Sequence, residues 1–390
     1  MRRLRELFLN TLQTCLRVLP WPTEPRLIRV GEPGPDSPVL VTCNYALTVR
    51  RVLRALRGVD AYLLVAPTRG INVWCSAAGG YFTTHQVIAT IRTSGIGDLV
   101  NHRRLILPQL AATGVERKLV EQRVGWHVVF GPVYARDLPA FLETGRKSSE
   151  MRQVRFPLWD RIEMAVAWAF PSSVVGAAIL AAGWRHLLLP FVLLVWALAL
   201  GLFVFFPWLP GRVEHASQQP PGWTRYLVFF DPAARRNLLV WLLFLFGLWG
   251  FAYAQRDFNY RSLVGWSLAS LLLVLLFSMD MAGSTPLYKS GLHEDRFLHV
   301  ELDEAACRGR AMCWEVCPKN CYVIDTSRHK AVIALPDACV QCGACVVQCP
   351  EDALAFSTHS GLRIPPEVIR TYKLNLLGQR AIPVAREAHK

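Results

Sequence analysis

The sequence has few charged residues and is unusually apolar. Asp, Glu, Lys and Arg make up 18% of its 390 residues, whereas hydrophobic residues make up 52%. The hydrophobic excess is concentrated between residues 164 and 279. A chain of this length has room for two or three domains. At least one of them is expected to lie in a membrane, because several apolar stretches approach the length of a bilayer span.

The sequence also lacks the signals of two other protein classes. No recognisable nucleic-acid-binding module accompanies the net charge of +14, so we expect no nucleic-acid partner. The first 20 residues have no small-residue cleavage site, and Glu6, Asn10 and Gln13 interrupt their apolar positions, which argues against a signal peptide. Their helical spacing predicts an amphipathic helix, either on the membrane surface or packed on the first domain.

Cysteine is absent after Cys349, and eight of the eleven cysteines lie between Cys307 and that residue. Thiols clustered at ferredoxin spacing are typical of iron ligands in a reducing compartment rather than of disulfides. Cys15 and Cys43 have no partner pattern, and we expect both to be inert.

The sequence divides into four regions. Residues 1–158 alternate β-branched runs with helical segments, which predicts a parallel sheet in an α/β, Rossmann-like domain. Residues 159–284 form a helical transmembrane domain of about four helices. Residues 285–360 form an α+β two-cluster ferredoxin-type domain, and 361–390 are a basic tail with no assigned role.

The predicted elements of the first region follow a regular order after a loop at residues 20–38. We predict strands at 39–43, 61–66, 105–107 and 126–130, and helices at 46–56, 84–92, 115–122 and 138–143. Ligands of parallel sheets bind at the carboxyl ends of strands. The segment 68–80 follows the second strand, so Cys75 lies where chemistry is expected.

The apolar stretches predict a multi-pass anchor. They run over residues 164–182, 187–209, 238–254 and 263–279, and Pro171 and Pro190 are expected to kink their helices. The connecting loop 210–237 carries four arginines, which favours the cytoplasmic side. Four crossings of the cell inner membrane would then place both soluble domains on that side.

The strongest motif is Cys339-x-x-Cys342-x-x-Cys345-x-x-x-Cys349-Pro350. In two-cluster ferredoxins the first three cysteines of such a run bind one cluster, and the fourth reaches across to the other. We therefore predict a 4Fe-4S cluster on Cys339, Cys342, Cys345 and Cys317, the last from the Cys-Pro of an earlier run. A zinc site is the weaker alternative.

The earlier run is irregular because Arg310 replaces its second cysteine. Cys307, Cys313 and Cys349 remain as ligands for a second cluster, either 3Fe-4S or 4Fe-4S with a substitute ligand. Cys321 is a candidate substitute, and its alternative role is a free buried thiol.

The string around Cys75 would by itself indicate a buried structural cysteine. However, residues 70–80, Gly-Ile-Asn-Val-Trp-Cys-Ser-Ala-Ala-Gly-Gly, resemble the cap-helix motif in the corrinoid protein of the mercury-methylation system. The resemblance continues through Asn44-Tyr45, 105–110, 114–115, 131–133, 137–142 and 151–152. The C-terminal part is similar to the partner ferredoxin of that system, so the chain resembles a fusion of the two.

This resemblance implies a corrinoid (cobalamin-like) cofactor beneath a cap helix, with Cys75 as lower axial ligand to cobalt. The implied cofactor-binding residues are Asn72, Val73, Trp74, Cys75, Ser76, Gly79 and Gly80. It further implies that the ferredoxin domain reduces the cobalt, and that the partners are membrane lipid, a methyl-donor protein or small molecule, and an external electron donor.

The sequence departs from the family pattern at several places, among them Ser76, Ala78 and Arg310. Gly79 occupies the position of the family's Lys, and the further cysteines of the partner ferredoxin are missing after Cys349. Because mercury binds soft thiolates, the loss of these cysteines argues against mercury as the methyl acceptor, and another soft metal or a metalloid such as arsenic is the alternative acceptor. The alternatives are a membrane-bound ferredoxin-type electron-transfer protein without methyltransferase activity, and a protein that only stores corrinoid.

Overall fold

A computed structural model describes residues 2–208, 232–254, 259–281, 298–357 and 361–371. The chain divides into two compact units. The helical unit combines Met1–Leu19 with Arg155–Ser284, and the mixed unit combines Pro20–Val154 with Thr285–Lys390. Within the mixed unit we call residues 20–154 the first domain and residues 298–371 the cysteine-rich part.

The secondary structure is as follows. The helices are α1 Arg2–Cys15, α2 Ala46–Ala55, α3 Val73–Ala78, α4 Thr84–Thr93, α5 Ile96–Leu99, α6 Arg117–Val124, α7 Leu138–Thr144, α8 Leu158–Ala181, α9 Leu188–Phe205, α10 Pro232–Ala254, α11 Tyr260–Met281, α12 Met312–Val316, α13 Ala344–Gln348 and α14 Pro366–Thr371. The strands are β1 Leu27–Val30, β2 Val39–Cys43, β3 Ala61–Ala66, β4 Arg104–Leu107, β5 His127–Phe130, β6 His299–Leu302, β7 Tyr322–Asp325, β8 Lys330–Ile333, β9 Leu354–Ser357 and β10 Arg363–Ile364. Short 3-10 helices lie at Gln109–Thr113, Ala135–Asp137, Arg185–Leu187, Phe206–Trp208 and Pro336–Ala338.

The first domain is built on a five-stranded sheet in the order β1-β3-β2-β4-β5. The last four strands are parallel, as predicted for an α/β domain. Every residue of β2 and β3 is buried, as expected for inner strands of a parallel sheet. From β2 the chain moves first to β3 and then crosses to β4 on the other side. The carboxyl ends of β2 and β4 therefore flank a topological switch point, where ligands of such sheets bind.

One strand was missed in the predicted loop 20–38. Strand β1 pairs antiparallel with β3, with Leu27 opposite Leu64 and Val30 opposite Ala61. Its four residues include the exposed Arg29 and lie among prolines and glycines, so the local pattern is too weak to predict a strand. Only the exposed edge of β3 supplies the hydrogen-bonding partner.

The cysteine-rich part contains a three-stranded antiparallel sheet, β10-β9-β6, and the separate hairpin β7-β8. Strand β10 and helix α14 belong to the segment for which the sequence indicated only a basic tail. Ile364 and Ile369 are almost fully buried there, and they share an apolar cluster with Leu354 and Phe356. The segment 361–371 thus packs into the core of the cysteine-rich part.

The helical unit contains four apolar helices among its described residues. Three of them, Leu158–Ala181, Arg185–Phe205 and Tyr260–Phe277, are long and apolar enough to cross a membrane. The apolar stretch of α10, Leu238–Ala254, is shorter, so the predicted count of about four crossings is only partly supported. Of the predicted loop 210–237, residues 210–231 lie outside the described residues, and the remainder belongs to α10.

Two predictions concern details of the helical unit. Helix α1 belongs to this unit, where Arg17, two residues after the end of the helix, lies 3.4 Å from the Glu163 carboxylate of α8. Pro171 lies inside α8. Pro190 lies in the first turn of α9, where a missing N–H costs nothing and no kink is required.

Candidate functional site

The predicted cap helix is present as α3, and Asn72 is its N-cap residue. The Asn72 side chain accepts a hydrogen bond from the backbone N–H of Cys75 at 2.9 Å. Its amide nitrogen donates to the Cys75 Sγ at 3.3 Å. One side chain therefore starts the helix and holds the thiol, which is partly exposed.

The loop that leads into α3 is held by the ends of the two central strands. Asn44 follows β2, and its Oδ1 accepts hydrogen bonds from the Thr68 N–H, the Thr68 hydroxyl and the Gly70 N–H at 2.8 to 2.9 Å. Both Asn44 and Thr68 are buried. Gly70 has a φ of +69°, and a Cβ there would lie 2.7 Å from the Pro22 Cα. The approach to the cap helix is therefore rigid.

The inner side of α3 is closely packed against the segment that follows β4. Ala77 is fully buried, and a Cβ on Gly114 would lie 2.5 Å from its carbonyl oxygen. Trp74 is 4% exposed, and among the described residues its Nε1 finds no hydrogen-bond partner. An unpaired buried donor is costly in a folded protein, so a bound molecule is a plausible partner for it.

The remaining predicted cofactor-binding residues take different positions. Val73 is partly exposed on the same helix as Cys75. Ser76 is fully buried, and its hydroxyl donates to the Asn72 carbonyl at 2.6 Å. Gly79 is the C-cap of α3, and Gly80 lines a cavity between α4, α6 and α14.

The donor set of this site fits a corrinoid. Cys75 is a soft thiol on a capped helix at the carboxyl edge of a parallel sheet, and Trp74 adds an unpaired donor beside it. A partly exposed sulfur held by a hydrogen bond is suited to bind one axial position of a metal centre.

The second candidate site is in the cysteine-rich part. Cys317, Cys339, Cys342 and Cys345, the predicted ligands of one cluster, surround a single small cavity. Hydrogen bonds reach their sulfurs: among them, the Cys321 N–H donates to Cys317 at 3.3 Å, the Gln341 N–H to Cys339 at 3.4 Å and the Tyr322 hydroxyl to Cys345 at 3.1 Å. Hydrogen bonds of this kind tune iron–sulfur clusters.

Burial controls the protonation of these thiols. Together with a smaller contribution from neighbouring thiolates at Cys317 and Cys339, it raises the pKa of Cys342 to about 12. Burial likewise raises the pKa of Cys345 well above its ordinary value. Bound iron favours the thiolate form and offsets this cost, so the donor set fits an iron–sulfur cluster.

Cys321 lines the same cavity, which does not agree with its predicted role at the irregular site. Its thiol interacts with Cys317 and Cys339. The hydrogen bond from Cys321 is the main cause that lowers the pKa of Cys317 to about 7. Cys321 is thus a fifth thiol beside the four-cysteine site.

The irregular site brings three of its predicted ligands together. Burial raises the pKa of Cys313 to about 12, and the nearby charges of Cys349 and Cys307 add to this effect. Arg310 is exposed and pairs with Glu351 at 3.2 Å. The two cysteine runs share left-handed backbone at equivalent positions: Gly309 and Gln341, Ala311 and Gly343, Asn320 and Asp352. By this correspondence Arg310 occupies the place of Cys342.

The cysteine-rich part docks directly on the first domain. Gln348, which precedes Cys349, is buried, and its amide nitrogen donates to the Ala112 and Val115 carbonyls at 2.7 and 2.6 Å. Its oxygen accepts from the Arg117 N–H at 3.2 Å. No sequence motif marks this residue as an interface group, because only the packed structure places those carbonyls opposite it.

A buried basic group also reaches the cysteine-rich part. The Lys147 side chain is 6% exposed, and its ammonium lies 3.6 Å from the Glu315 carboxylate and donates to the Gln109 side chain at 3.2 Å. Desolvation lowers the pKa of Lys147 to about 8, against the opposing attraction of Glu315. Sequence reasoning missed this residue, since the burial of Lys147 depends on the docking of the cysteine-rich part.

Comparisons with known proteins agree with this division of the mixed unit. Residues 9–142 match the family model for the CO dehydrogenase/acetyl-CoA synthase delta subunit, and residues 332–355 match the 4Fe-4S binding domain. The acetyl-CoA decarbonylase/synthase complex subunit gamma of Archaeoglobus fulgidus is 40% identical over 126 residues, which cover 32% of this chain and 26% of the relative. The corresponding subunit of Methanopyrus kandleri is 42% identical over 126 residues (32% and 27%), and that of Methanocaldococcus jannaschii 37% over 157 residues (39% and 29%).

The chain spans about a quarter of the length of these curated relatives. The similarity covers the first domain, whereas the 4Fe-4S match covers the second cysteine run. These matches support the expected fusion of a corrinoid-protein-like domain with a 4Fe-4S domain. The relatives' names do not refer to mercury methylation.

Proposed function

We propose that this chain is a membrane-anchored, corrinoid-dependent methyl-transfer protein that receives electrons through its own cysteine-rich part. The observation that carries the proposal is the placement of Cys75. Its thiol is partly exposed on a capped helix at the carboxyl edge of the sheet, within the residues that match the family model of the CO dehydrogenase/acetyl-CoA synthase delta subunit. The strand order around the switch point fits a Rossmann-like domain.

In this proposal the residues around α3 hold and orient the cofactor. Cys75 would ligate the cobalt through its thiolate, Asn72 would fix the direction of the sulfur, and Trp74 would offer a hydrogen-bond donor. Asn44 keeps the preceding loop in place. When bound, the corrinoid supplies a cobalt centre that accepts and donates a methyl group and requires reduction when it is oxidised.

The cysteine-rich part is proposed to be the electron carrier. Cys317, Cys339, Cys342 and Cys345 would hold a 4Fe-4S cluster. Cys307, Cys313 and Cys349 would hold a second one, 3Fe-4S or 4Fe-4S. Direct docking through Gln348 supports intramolecular reduction, because the carrier is held next to the first domain.

The proposed acceptor is a soft metal or metalloid ion, with mercury as the first candidate from the sequence resemblance. The methyl comes from a donor protein or small molecule, and an external donor reduces the cysteine-rich part. The three apolar helices support an inner-membrane location with lipid as a partner. We place the mixed unit on the cytoplasmic side, where thiols stay reduced.

The test is anaerobic purification of the full chain in detergent with added cobalamin. Cobalt and iron are quantified, and visible spectra are recorded for the wild type, Cys75→Ala and Cys15→Ala. The matched control Cys15 is also a partly buried thiol, but it lies at the end of α1.

The expected result is stoichiometric cobalt with a thiolate–cobalt spectrum that disappears in Cys75→Ala and persists in Cys15→Ala. Methyl transfer to mercuric ion and arsenite would then be measured. Iron without cobalt would overturn the proposal and leave a membrane-bound electron-transfer protein. Cobalt binding that survives loss of Cys75 would remove the assigned ligand.

A further inference from the structure

A short segment of the first domain lies along the chain that carries Cys317. The Arg152 guanidinium donates to the Trp314 carbonyl at 2.6 Å, three residues before Cys317. The Val154 N–H donates to the Pro318 carbonyl at 3.0 Å, one residue after it. The first domain therefore contacts the chain on both sides of this ligand.

Both the side chain and the backbone of Arg152 are held in place by neighbouring groups. Its side chain is buried, with the residue 2% exposed, and its guanidinium stacks 3.5 Å from the centre of the Trp314 ring. Its carbonyl accepts a hydrogen bond from the Gln109 side chain at 2.7 Å. Such a group has little freedom to move away from the cysteine-rich part.

The buried guanidinium places a fixed positive charge beside the segment that leads into Cys317, because it bonds to the Trp314 carbonyl and stacks on the Trp314 ring. Glu315 is the acidic group that also acts on Arg152, and it is paired with Lys147. Lys319 supplies a second positive charge near Cys317, but from the cysteine-rich part itself.

We propose that Arg152 of the first domain raises the reduction potential of the iron–sulfur site formed by Cys317, Cys339, Cys342 and Cys345. Reduction adds negative charge to this site, and a fixed buried cation stabilises the reduced form. Docking of the two parts thereby sets the electron affinity of the carrier. The inference rests on the proposed function only in assuming that the four cysteines hold a cluster.

The test is redox potentiometry of the full chain in detergent, followed by electron paramagnetic resonance. The midpoint potential of the reduced four-iron signal is compared for the wild type, Arg152→Gln and Arg152→Lys. We expect Arg152→Gln to shift this potential downwards and Arg152→Lys to keep it near the wild-type value. Arg117→Gln is the matched control, since it also contacts α12, through Met312, but not the Cys317 segment.

An unchanged potential in Arg152→Gln would overturn the inference, and so would equal shifts in Arg152→Gln and Arg117→Gln. If Arg152→Gln does not assemble the cluster, Arg152→Lys decides, because a downward shift with the charge retained would show that packing and not charge is responsible. Absence of any iron–sulfur signal in the wild type would instead contradict the proposed function.

Discussion

Asn72 bonds to both the backbone and the thiol of Cys75, at 2.9 and 3.3 Å. An N-cap side chain reaches the N–H of the third helical residue, and Cys75 is that residue. The spacing Asn-Val-Trp-Cys therefore lets one side chain, that of Asn72, both cap the helix and orient the Cys75 sulfur. A change at Asn72 is expected to disturb both.

The first prediction concerns this cap. Asn72→Ala removes the cap and should destabilise α3 by about 1 kcal/mol, which corresponds to roughly fivefold faster amide exchange in the helix. Asn72→Asp keeps the acceptor for the Cys75 N–H but loses the donor to Sγ, so its exchange should stay near the wild type. Hydrogen–deuterium exchange of residues 73–78 distinguishes the two, and equal acceleration in both would contradict the capping role.

Gly114→Ala tests the packing of α3. The added Cβ would lie 2.5 Å from the Ala77 carbonyl oxygen and 2.9 Å from its Cα, so backbone must move at a cost of about 1–3 kcal/mol. We expect a lower apparent melting temperature. The control Gly97→Ala meets only the end of the Arg103 side chain at 3.9 Å and should change little. Equal effects of the two changes would refute the close approach.

Gln348→Ala should weaken the docking of the cysteine-rich part. The variant leaves the Ala112 and Val115 carbonyls without their partner, and each unpaired buried group costs about 1–3 kcal/mol. Gln348→Glu should weaken docking as well, because a carboxylate cannot donate to them. The measurement is amide hydrogen–deuterium exchange at residues 109–117, which should be faster in both Gln348 variants. Gln122→Ala, a change at an exposed glutamine, is the control and should leave the exchange rate unchanged.

Because of Lys147, the free energy of unfolding should depend on pH in the alkaline range. Its native pKa of about 8 lies below the ordinary value of 10.5. Between these values the unfolded chain binds more protons than the native one, so the free energy of unfolding rises with pH. Below about pH 8 the cost of burying the charge is fully present.

The measurement for Lys147 is the difference in apparent melting temperature between the wild type and Lys147→Met. The wild type should gain on the variant as pH rises from about 7 to about 10. A difference that stays constant over this window would show that the ammonium carries no desolvation penalty.

Arg310→Cys should complete the irregular site. Arg310 occupies the place that Cys342 takes in the second run, and the backbone around both is left-handed at equivalent positions. We expect about one additional iron per chain and loss of any oxidised three-iron resonance. Arg308→Cys adds an exposed thiol nearby outside the ligand spacing and should add no iron. An equal gain in both variants would speak against the correspondence.

The sequence alone determined the local elements and the ligand spacing. The apolar runs at 39–43 and 61–66 became β2 and β3 with the same bounds, because buried parallel strands carry a strong continuous apolar signal. The resemblance of the string around Cys75 to a cap-helix motif implied a short helix, and the second cysteine run indicated one set of iron ligands. Both depend on residues close in sequence.

Only the tertiary structure decided the long-range pairings. Strand β1 forms because the edge of β3 is available for pairing. Residues 361–371 fold because β10 pairs with β9 and because Ile364 and Ile369 pack into the apolar core beside it. Cys321 lies beside the four-cysteine site, although the sequence indicated it as a candidate ligand of the irregular site or a free buried thiol. The docking roles of Gln348, Lys147 and Arg152 arise from groups more than 100 residues away. Burial and charge pairing depend on which surfaces meet, and that is settled by the packing of the whole unit rather than by any local pattern.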